Sequence, residues 1–243
     1  MPRFSIVTVC LNEVDSIRRT CESICSQTFD DFEWIVIDGQ STDGTLDVLS
    51  EYEARINTFI SEADGGIYDA MNKGMRISRG EHLLFMNAGD YFSGQMSLQL
   101  VKDAPDKDIL YGDVLCVDAE GESFTMNMPD TLPINFLLNK MMPHQATFIR
   151  RNLFDKYGEY DCSYRIAGDY DLFVRFLSLH KVTSFHVPHI LSVFITDGIS
   201  STPSSKILRK KENHLIRKKY FPRYRYGLKG LKTELQLRLR GHA

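Results

Sequence analysis

Over the first ninety residues, short runs rich in β-branched side chains alternate with stretches of helical period, and few folds accommodate that rhythm. Residues 4–10 and 33–38 read as buried strands, 58–60 and 82–86 as two more. Between them Val14, Ile17, Cys21 and Ile24 repeat at helical spacing, Leu46, Val48 and Leu49 lie in a second helix, and residues 67–77 form a third. A βαβαβαβ order with strands apolar on both faces predicts a parallel sheet covered by helices on both sides. Right-handed crossovers then bring every strand's carboxyl end to one edge, where such sheets bind ligands.

After residue 105 the pattern changes. Residues 109–117 and 123–128, separated by Asp118-Ala119-Glu120-Gly121, read as a hairpin. Residues 146–149 read as a further strand, Leu172 to Leu179 follow a helical period, and 182–196 is β-rich. With no repeat or low-complexity linker, this half is expected to extend the same domain, to residue 205. Residues 206–243 form a separate tail, with Leu208, Leu215, Ile216, Leu231, Leu235 and Leu237 among Lys and Arg. Two amphipathic helices broken around Phe221-Pro222 are predicted there.

The net charge of −3 averages two opposite parts: the tail carries thirteen Lys/Arg against Glu212 and Glu234, and the other 205 residues sum to −14. A basic run is often no more than a solvated helix face. With interleaved apolar residues it also suits an interfacial helix on an anionic membrane, where each basic residue contributes about 1 kcal/mol. At 43% hydrophobic and 25% charged residues the chain is not of the disordered class. It has no run near the ~18 apolar residues of a membrane span, and residues 4–11 lead into Asn12-Glu13 without a signal-peptide cleavage pattern. Cys10, Cys21, Cys25, Cys116 and Cys162 are odd in number and lack metal-ligand spacing, as expected of buried thiols in a reducing, cytoplasmic setting.

Acidic residues fall at the predicted strand ends. Asp38 closes the second strand ahead of Gly39-Gln40-Ser41-Thr42-Asp43-Gly44-Thr45; Asp43 suits a helix cap, and Asp38 suits a base or ribose hydroxyl. Asp90 follows the fourth strand in Asn87-Ala88-Gly89-Asp90, either as an exposed turn residue or as an oxygen ligand of Mg²⁺ or Mn²⁺. Asp169, in Gly168-Asp169-Tyr170-Asp171-Leu172, is open to two readings, helix N-cap or catalytic carboxylate. His144, in Met142-Pro143-His144-Gln145, is by itself more often structural than functional. Asp64-Gly65-Gly66 opens a helix whose amides suit an anion or only a turn. No GxxxxGK[ST] loop or GxGxxG fingerprint is present, which argues against ATPase, kinase and NAD-dependent chemistry.

Taken in order, these clusters resemble family 2 glycosyltransferases of the GT-A fold, especially bacterial enzymes of capsule, exopolysaccharide and O-antigen assembly, the colanic-acid type among them. The likeness covers residues 3–200 and rests on residues 6–12, 34–45, 64–74 and 80–90, on His144-Gln145 and on residues 168–172. It implies a Rossmann-like, mostly parallel α/β sheet with a small antiparallel extension. It also implies inverting, hexosyl-type transfer from a UDP- or GDP-sugar to a glycan or polyprenyl-diphosphate-linked hydroxyl. By the same resemblance Asp169 matches the general base and Asp90 the metal-binding carboxylate for Mn²⁺ or Mg²⁺. Asp38 and Gly39 match the base or ribose site, and Thr8, Val9, Leu11 and Asn12 line the base pocket. Asp64, Asn72, Lys73, Asn87 and His144 fall to the sugar-nucleotide site, and Gly198-Ile199-Ser200 to a loop near the diphosphate.

Two departures from the family pattern stand out: Gly39 occupies the position where many members have a second aspartate, and Asp90 is the one acid of its motif. The alternative is a GT-A-like module that binds sugar nucleotides with little turnover. Nucleotidyl transfer expects an N-terminal Gly-rich phosphate loop with Lys/Arg, absent from residues 8–12, and no nucleic-acid-binding motif accompanies the tail. The expected setting is the inner face of the cytoplasmic membrane, held peripherally by the tail, with a homodimer left open.

Overall fold

A computed structural model describes residues 1–196, 202–225 and 227–239. Four parallel strands form its first half: β1 (Phe4–Cys10), β2 (Phe32–Asp38), β3 (Thr58–Ser61) and β4 (His82–Phe85). Period-two alternation divides their side chains between two cores. Phe4, Ile6, Trp34 and Val36 pack with Ile17, Cys21 and Ile24 of α1 (Ile17–Cys25) and with Val48 and Leu49 of α2 (Thr45–Ser50). Val7, Val9, Ile35 and Ile37 point the other way, onto Met71 and Met75 of α3 (Ile67–Ile77).

The second half continues the same sheet. The additional strands are β5 (Tyr91–Phe92), β6 (Ile109–Val117), β7 (Ser123–Met126), β8 (Thr147–Arg150) and β9 (Ser184–Ile195), and the order across the sheet is β3-β2-β1-β4-β8-β6-β9-β5 with β7 on β6. β8 runs antiparallel to β4 and β6, whereas β6 and β9 are parallel. Helices α4 (Ser97–Lys102), α5 (Ile134–Leu137), α6 (Asn152–Tyr157) and α7 (Gly168–Leu179) cover it. The β6–β7 hairpin and β9 lie close to where their patterns predict them. The elements without a forecast, β5, α4, α5 and α6, are six residues or shorter, too short for a period to emerge.

The chain passes from β1 out to β2 and β3 and then returns to β4 on the other side of β1. That reversal opens a crevice beyond the carboxyl ends of β1 and β4, the usual ligand position in open α/β sheets.

The C-terminal part forms α8 (Pro203–Tyr220), α9 (Pro222–Arg225) and α10 (Leu228–Leu239), so the expected tail start at residue 206 falls inside α8 and three helices stand where two were expected, with the break at Phe221-Pro222. Ile216, Phe221 and Tyr224 belong to the core that contains α3 and α7. Among the described residues no helix is long and apolar enough to cross a membrane. All five cysteines are free; Cys10, Cys21 and Cys116 are buried and Cys25 is half-buried, while Cys162 is exposed rather than enclosed as expected.

Candidate active site

The loops after β1 and β2 are tied together. Asn12 adopts positive φ, donates its N–H to Ser41 Oγ at 2.8 Å and accepts from the Thr42 N–H on Oδ1 at 2.9 Å. Asp43 accepts from the Val14 and Thr45 N–H groups; the N-cap position of α2 is Gly44, so Asp43 braces the turn one residue ahead of the cap and is not the cap itself. Thr8 is buried and accepts from the Trp34 indole at 3.0 Å, and Val9 is buried on the opposite face of β1, in the core with α3. Leu11 is exposed at its rim.

Asp38 departs from the expectation of a carboxylate held out to a ligand. It is fully buried, and its oxygens accept from the Gln40 and Ser41 N–H groups, from the Ser41 and Ser61 hydroxyls and weakly from the Cys10 thiol. A strand-end carboxylate followed by a tight turn captures the turn's own donors, so Asp38 shapes residues 39–42 from within. The carboxylate facing outward there is Asp64, fixed by the Gly66 N–H at 2.8 Å. Its Oδ2 lies where a side chain at position 39 would begin: a Cβ on Gly39 would be 2.8 Å from that oxygen.

Asn72 and Lys73 are turned to structural work. The Asn72 amide donates to the Tyr160 carbonyl and accepts from the Tyr160 N–H, each at 2.9 Å. Lys73 Nζ braces the loop before α3 through the Ala63 carbonyl at 3.0 Å and Glu62 at 2.8 Å. Neither is joined to the carboxylates described next.

Beyond β4 the chain keeps pairing with β1 through the Met86 and Ala88 N–H groups, then turns with Asn87 accepting from the Asp90 N–H and Gly89 at φ 95°, a left-handed conformation glycine adopts freely. Thr20 of α1 holds this turn, accepting from the Gly89 N–H and donating to the Asp90 carbonyl. Asp90 is thereby presented enclosed, and burial pushes its carboxyl up to about 7 despite the nearby His144 and a hydrogen bond from the Ile195 backbone.

His144, in a short 3-10 turn before β8, stands between two carboxylates. Its Nε2 lies 3.8 Å from Asp90 Oδ2 and 3.0 Å from Asn87 Nδ2, and its Nδ1 lies 3.5 Å from Asp169 Oδ2. Burial lowers the imidazole's pKa, but Asp169 and Asp90 outweigh it, so the net direction is upward. Among the described residues, Asn87 Oδ1 is buried with no partner.

Asp169 is the second residue of α7; the N-cap position is Ala167, so the carboxylate is not the cap. Its Oδ1 accepts from the Tyr170 N–H at 2.8 Å and from the Tyr68 hydroxyl at 3.4 Å. Gly168 makes room for Tyr68, whose ring atoms would lie 2.7–2.9 Å from any Cβ there. Tyr68 stacks on Tyr160 with ring centroids 5.5 Å apart, and burial, reinforced by Asp169, drives its phenol well above the ordinary range. Sequence reasoning passed over Tyr68, although it lies within the 64–74 motif. Gly198-Ile199-Ser200 lie outside the described residues.

Asp90, Asn87, His144 and Asp169 therefore meet over the β1/β4 crevice, with Asp64, Gly39 and Leu11 on its β2–β3 side. Residues 5–161 match the family described as Glycosyl transferase family 2. A PGL/p-HBAD biosynthesis glycosyltransferase of Mycobacterium tuberculosis is 31% identical over 221 residues, covering 86% of this chain and 84% of that protein. A glycosyltransferase of the same organism with no assigned role is 32% identical over 209 residues, 82% and 78% of the two chains. Among solved structures, S. aureus TarS 1-349 in complex with UDP-GlcNAc superposes with TM-score 0.69 at 16% identity, over 91% of this chain and 68% of that one. Mannosyltransferase PcManGT from Pyrobaculum calidifontis, in complex with GDP-Man and Mn²⁺, gives TM-score 0.66 at 19% identity over 90% and 64%. The chain spans about two thirds of these solved chains, and at such identities the likeness is one of fold, the GT-A fold. With more than half of its length matched by the family and relatives above 30% identity along most of it, the chain belongs to glycosyl transferase family 2.

Proposed function

We propose that the protein transfers a hexose from a UDP- or GDP-linked donor to a hydroxyl of a glycan or polyprenyl-diphosphate-linked acceptor, with inversion at the anomeric carbon, in bacterial surface polysaccharide synthesis. The observation that carries this reading is the placement of Asp90 and Asp169 on opposite edges of the His144 ring. Inverting displacement needs a base on the acceptor side and charge stabilisation on the leaving-group side, and these two carboxylates are separated for that division of labour.

Asp169 takes the acceptor hydroxyl's proton as that oxygen bonds to the anomeric carbon. The bond from that carbon to the diphosphate oxygen breaks, and its electron pair leaves with the nucleoside diphosphate. General-base help of this kind contributes about 10²- to 10⁴-fold. The Tyr170 N–H and Tyr68 hydroxyl hold one carboxylate oxygen, leaving the other toward His144 and the crevice. Asp64 with the loops 11–12 and 39–42 forms the nucleotide side; Asp38 acts by shaping that wall.

The donors present fit a divalent cation. Asp90 is a buried carboxylate faced by the Nε2 edge of His144, and Asn87 Oδ1 is a buried oxygen with no partner among the described residues. Asp90 would hold Mn²⁺ or Mg²⁺, supplying Lewis-acid stabilisation of the diphosphate when bound. Among the described residues no group of three or more His, Cys, Asp and Glu could hold a metal, so a donor's phosphates and water would complete the shell. The Mn²⁺ and GDP-Man of PcManGT and the UDP-GlcNAc of TarS support this assignment by analogy.

The tail is read as the part that meets an anionic leaflet, where a polyprenyl-linked acceptor resides. Leu215, Leu231 and Leu235 are exposed among its basic residues. Sedimentation with phosphatidylglycerol vesicles tests this: binding that weakens with salt supports it, and equal recovery with neutral vesicles rejects it.

The deciding experiment is a thermal-shift and hydrolysis panel of UDP-, GDP- and dTDP-hexoses, with and without Mn²⁺, on wild type, Asp90→Ala and Asp169→Asn. A ligand bound by the native state alone raises the melting temperature. Metal-dependent stabilisation by one nucleotide, lost in Asp90→Ala and kept in a turnover-poor Asp169→Asn, is expected. Donor binding without turnover in wild type would favour the binding module, and no stabilisation by any donor would overturn the reading.

A further inference from the structure

The chemistry above uses nothing beyond residue 205, yet α8 grips the segment that carries Asp169. Glu212, 6% exposed in the middle of a basic helix, turns its carboxylate inward. One oxygen accepts from the Arg165 N–H at 2.8 Å; the other accepts from the Ile166 and Ala167 N–H groups at 2.9 and 2.8 Å. Three consecutive amides directed at one carboxylate make an anion nest, and the residue after them, Gly168, starts α7. The nest lies at the positive end of that helix, where a fixed negative charge is favoured.

The grip continues past Asp169. Arg217 Nε donates to the Tyr170 hydroxyl at 3.1 Å, which in turn donates to the Leu137 carbonyl at 2.5 Å. Lys219 Nζ lies 3.2 Å from Asp171 Oδ1, and Ile216, fully buried, belongs to the same core cluster as Tyr170, Leu172 and Phe173 of α7. Residues 165–167, 170 and 171 are thus held by one helix, and Asp169 stands between the held positions.

We infer that Glu212 is a positioning residue for Asp169, so that the C-terminal helix is part of the active-site scaffold. This rests on the reading of Asp169 as the base. Asp169 has no freedom to correct a displaced backbone: one oxygen is fixed by the next residue's N–H and by Tyr68, and Tyr68 is wedged against Gly168. A shift of the 165–167 turn therefore moves the base itself, and misplacement by about 1 Å costs up to ~10²-fold in rate.

The test is Glu212→Gln, which keeps the side chain's shape but puts a donor NH₂ against the nest, assayed with whichever of UDP-glucose, UDP-GlcNAc and GDP-mannose turns over in wild type. The expected result is a kcat lower by about 10- to 100-fold with donor KM within about twofold. In the Asp169→Asn background the same substitution is expected to remove nothing further, because a residue acting through Asp169 has nothing left to position. A contact that only fastens the tail would lower the residual Asp169→Asn rate by the same factor, and that result overturns the inference, as does a wild-type kcat in Glu212→Gln. Should Glu212→Gln fail to fold, Glu212→Asp, charged but one methylene short, is carried through the same pair of backgrounds. A wild-type rate in Asp169→Asn would sink the base assignment; a crippled Asp169→Asn beside a normal Glu212→Gln sinks the present inference alone.

Discussion

Glu33 and Asp90 are both carboxylates enclosed at the ends of the same sheet, and their surroundings are opposite. Glu33, at the amino end of β2, accepts from the Ser5 hydroxyl at 2.6 Å, the Arg79 N–H at 2.5 Å, the Gly80 N–H at 3.1 Å and the Arg79 guanidinium at 3.1 Å. Burial alone would raise its pKa, but these donors overcome it and hold it below the ordinary glutamate value. Asp90, beyond the carboxyl end of β4, has among the described residues the Ile195 backbone and a half-buried imidazole to answer it, and burial prevails. One end of the sheet closes its own electrostatics with several chain donors, and the other, among the described residues, answers two carboxylates with one imidazole between them. Carboxylates answered so sparingly at the ligand edge mark a place prepared for something the chain does not contain.

The contrast can be broken most forcefully at its functional end. Asp169→Asn is expected to lower kcat by about 10²- to 10⁴-fold, while melting temperature and donor affinity stay close to wild type. Single-turnover kinetics alongside donor titration would separate the two effects; a matching loss of affinity would mean that Asp169 binds substrate instead of acting as the base.

The structural end is expected to behave in reverse. Glu33→Ala strands the Ser5, Arg79 and Gly80 donors in a buried position, which costs roughly 2–4 kcal/mol, read as a lower urea midpoint with an unchanged slope. Turnover per folded molecule should not change. A normal urea midpoint would mean that water replaces the carboxylate and that the amino end is less closed than its hydrogen bonds indicate.

The two carboxylates should also impose opposite pH dependences. Glu33's folded pKa is depressed, so its contribution is present above the unfolded value and is lost as pH falls through the folded one. Asp90's is raised from 3.8 to about 7, so keeping it ionised costs stability above about pH 7, and the cost disappears as pH falls toward 4. Asp90→Asn should therefore be more stable than wild type at pH 8 without metal, by up to about 4 kcal/mol, with the advantage gone near pH 4. It should also lose any stabilisation by Mn²⁺. Equal melting curves at pH 8 would show that His144 or solvent already neutralises the carboxylate.

How far this division was legible in the sequence depends on the range of the interactions involved. The parallel half was readable because β1, β2 and α3 write their burial into local periodicity, and the order of strands and helices allowed the crevice to be anticipated. Asp90 and Asp169 were singled out because they follow a strand and open a helix, positions with local marks, and the fold brings both beside His144. Asp38 was singled out by that same logic, and what the sequence did not show is how its carboxylate is held: the Ser41 and Ser61 hydroxyls, the second twenty-three residues away, both donate to it. Glu212 left no trace beyond being one of two acids in a basic run, because its partners lie more than forty residues upstream and are backbone amides, which no residue type announces.

The smallest effect sharpens the comparison on the nucleotide side, where Gly39 and Asp64 face each other across loops from two strands. A Cβ at position 39 would lie 2.8 Å from Asp64 Oδ2 and 3.4 Å from Leu11 side-chain atoms, so Gly39→Ala must push the carboxylate or the leucine aside. Asp64 cannot retreat freely, since its other oxygen accepts from the Gly66 N–H. The glycine therefore lets a carboxylate from the β3–α3 loop stand where a side chain on the β2 loop would otherwise begin. If that carboxylate contacts the donor, Gly39→Ala should raise donor KM by about three- to tenfold, roughly 1 kcal/mol, with kcat and melting temperature little changed. Asp64→Asn should raise KM similarly, and the double variant should fall short of the product of the single effects, because both act on one contact. Multiplying effects would place the two residues in separate contacts, and unchanged KM values would move the nucleotide away from this wall, toward the β4 side of the crevice.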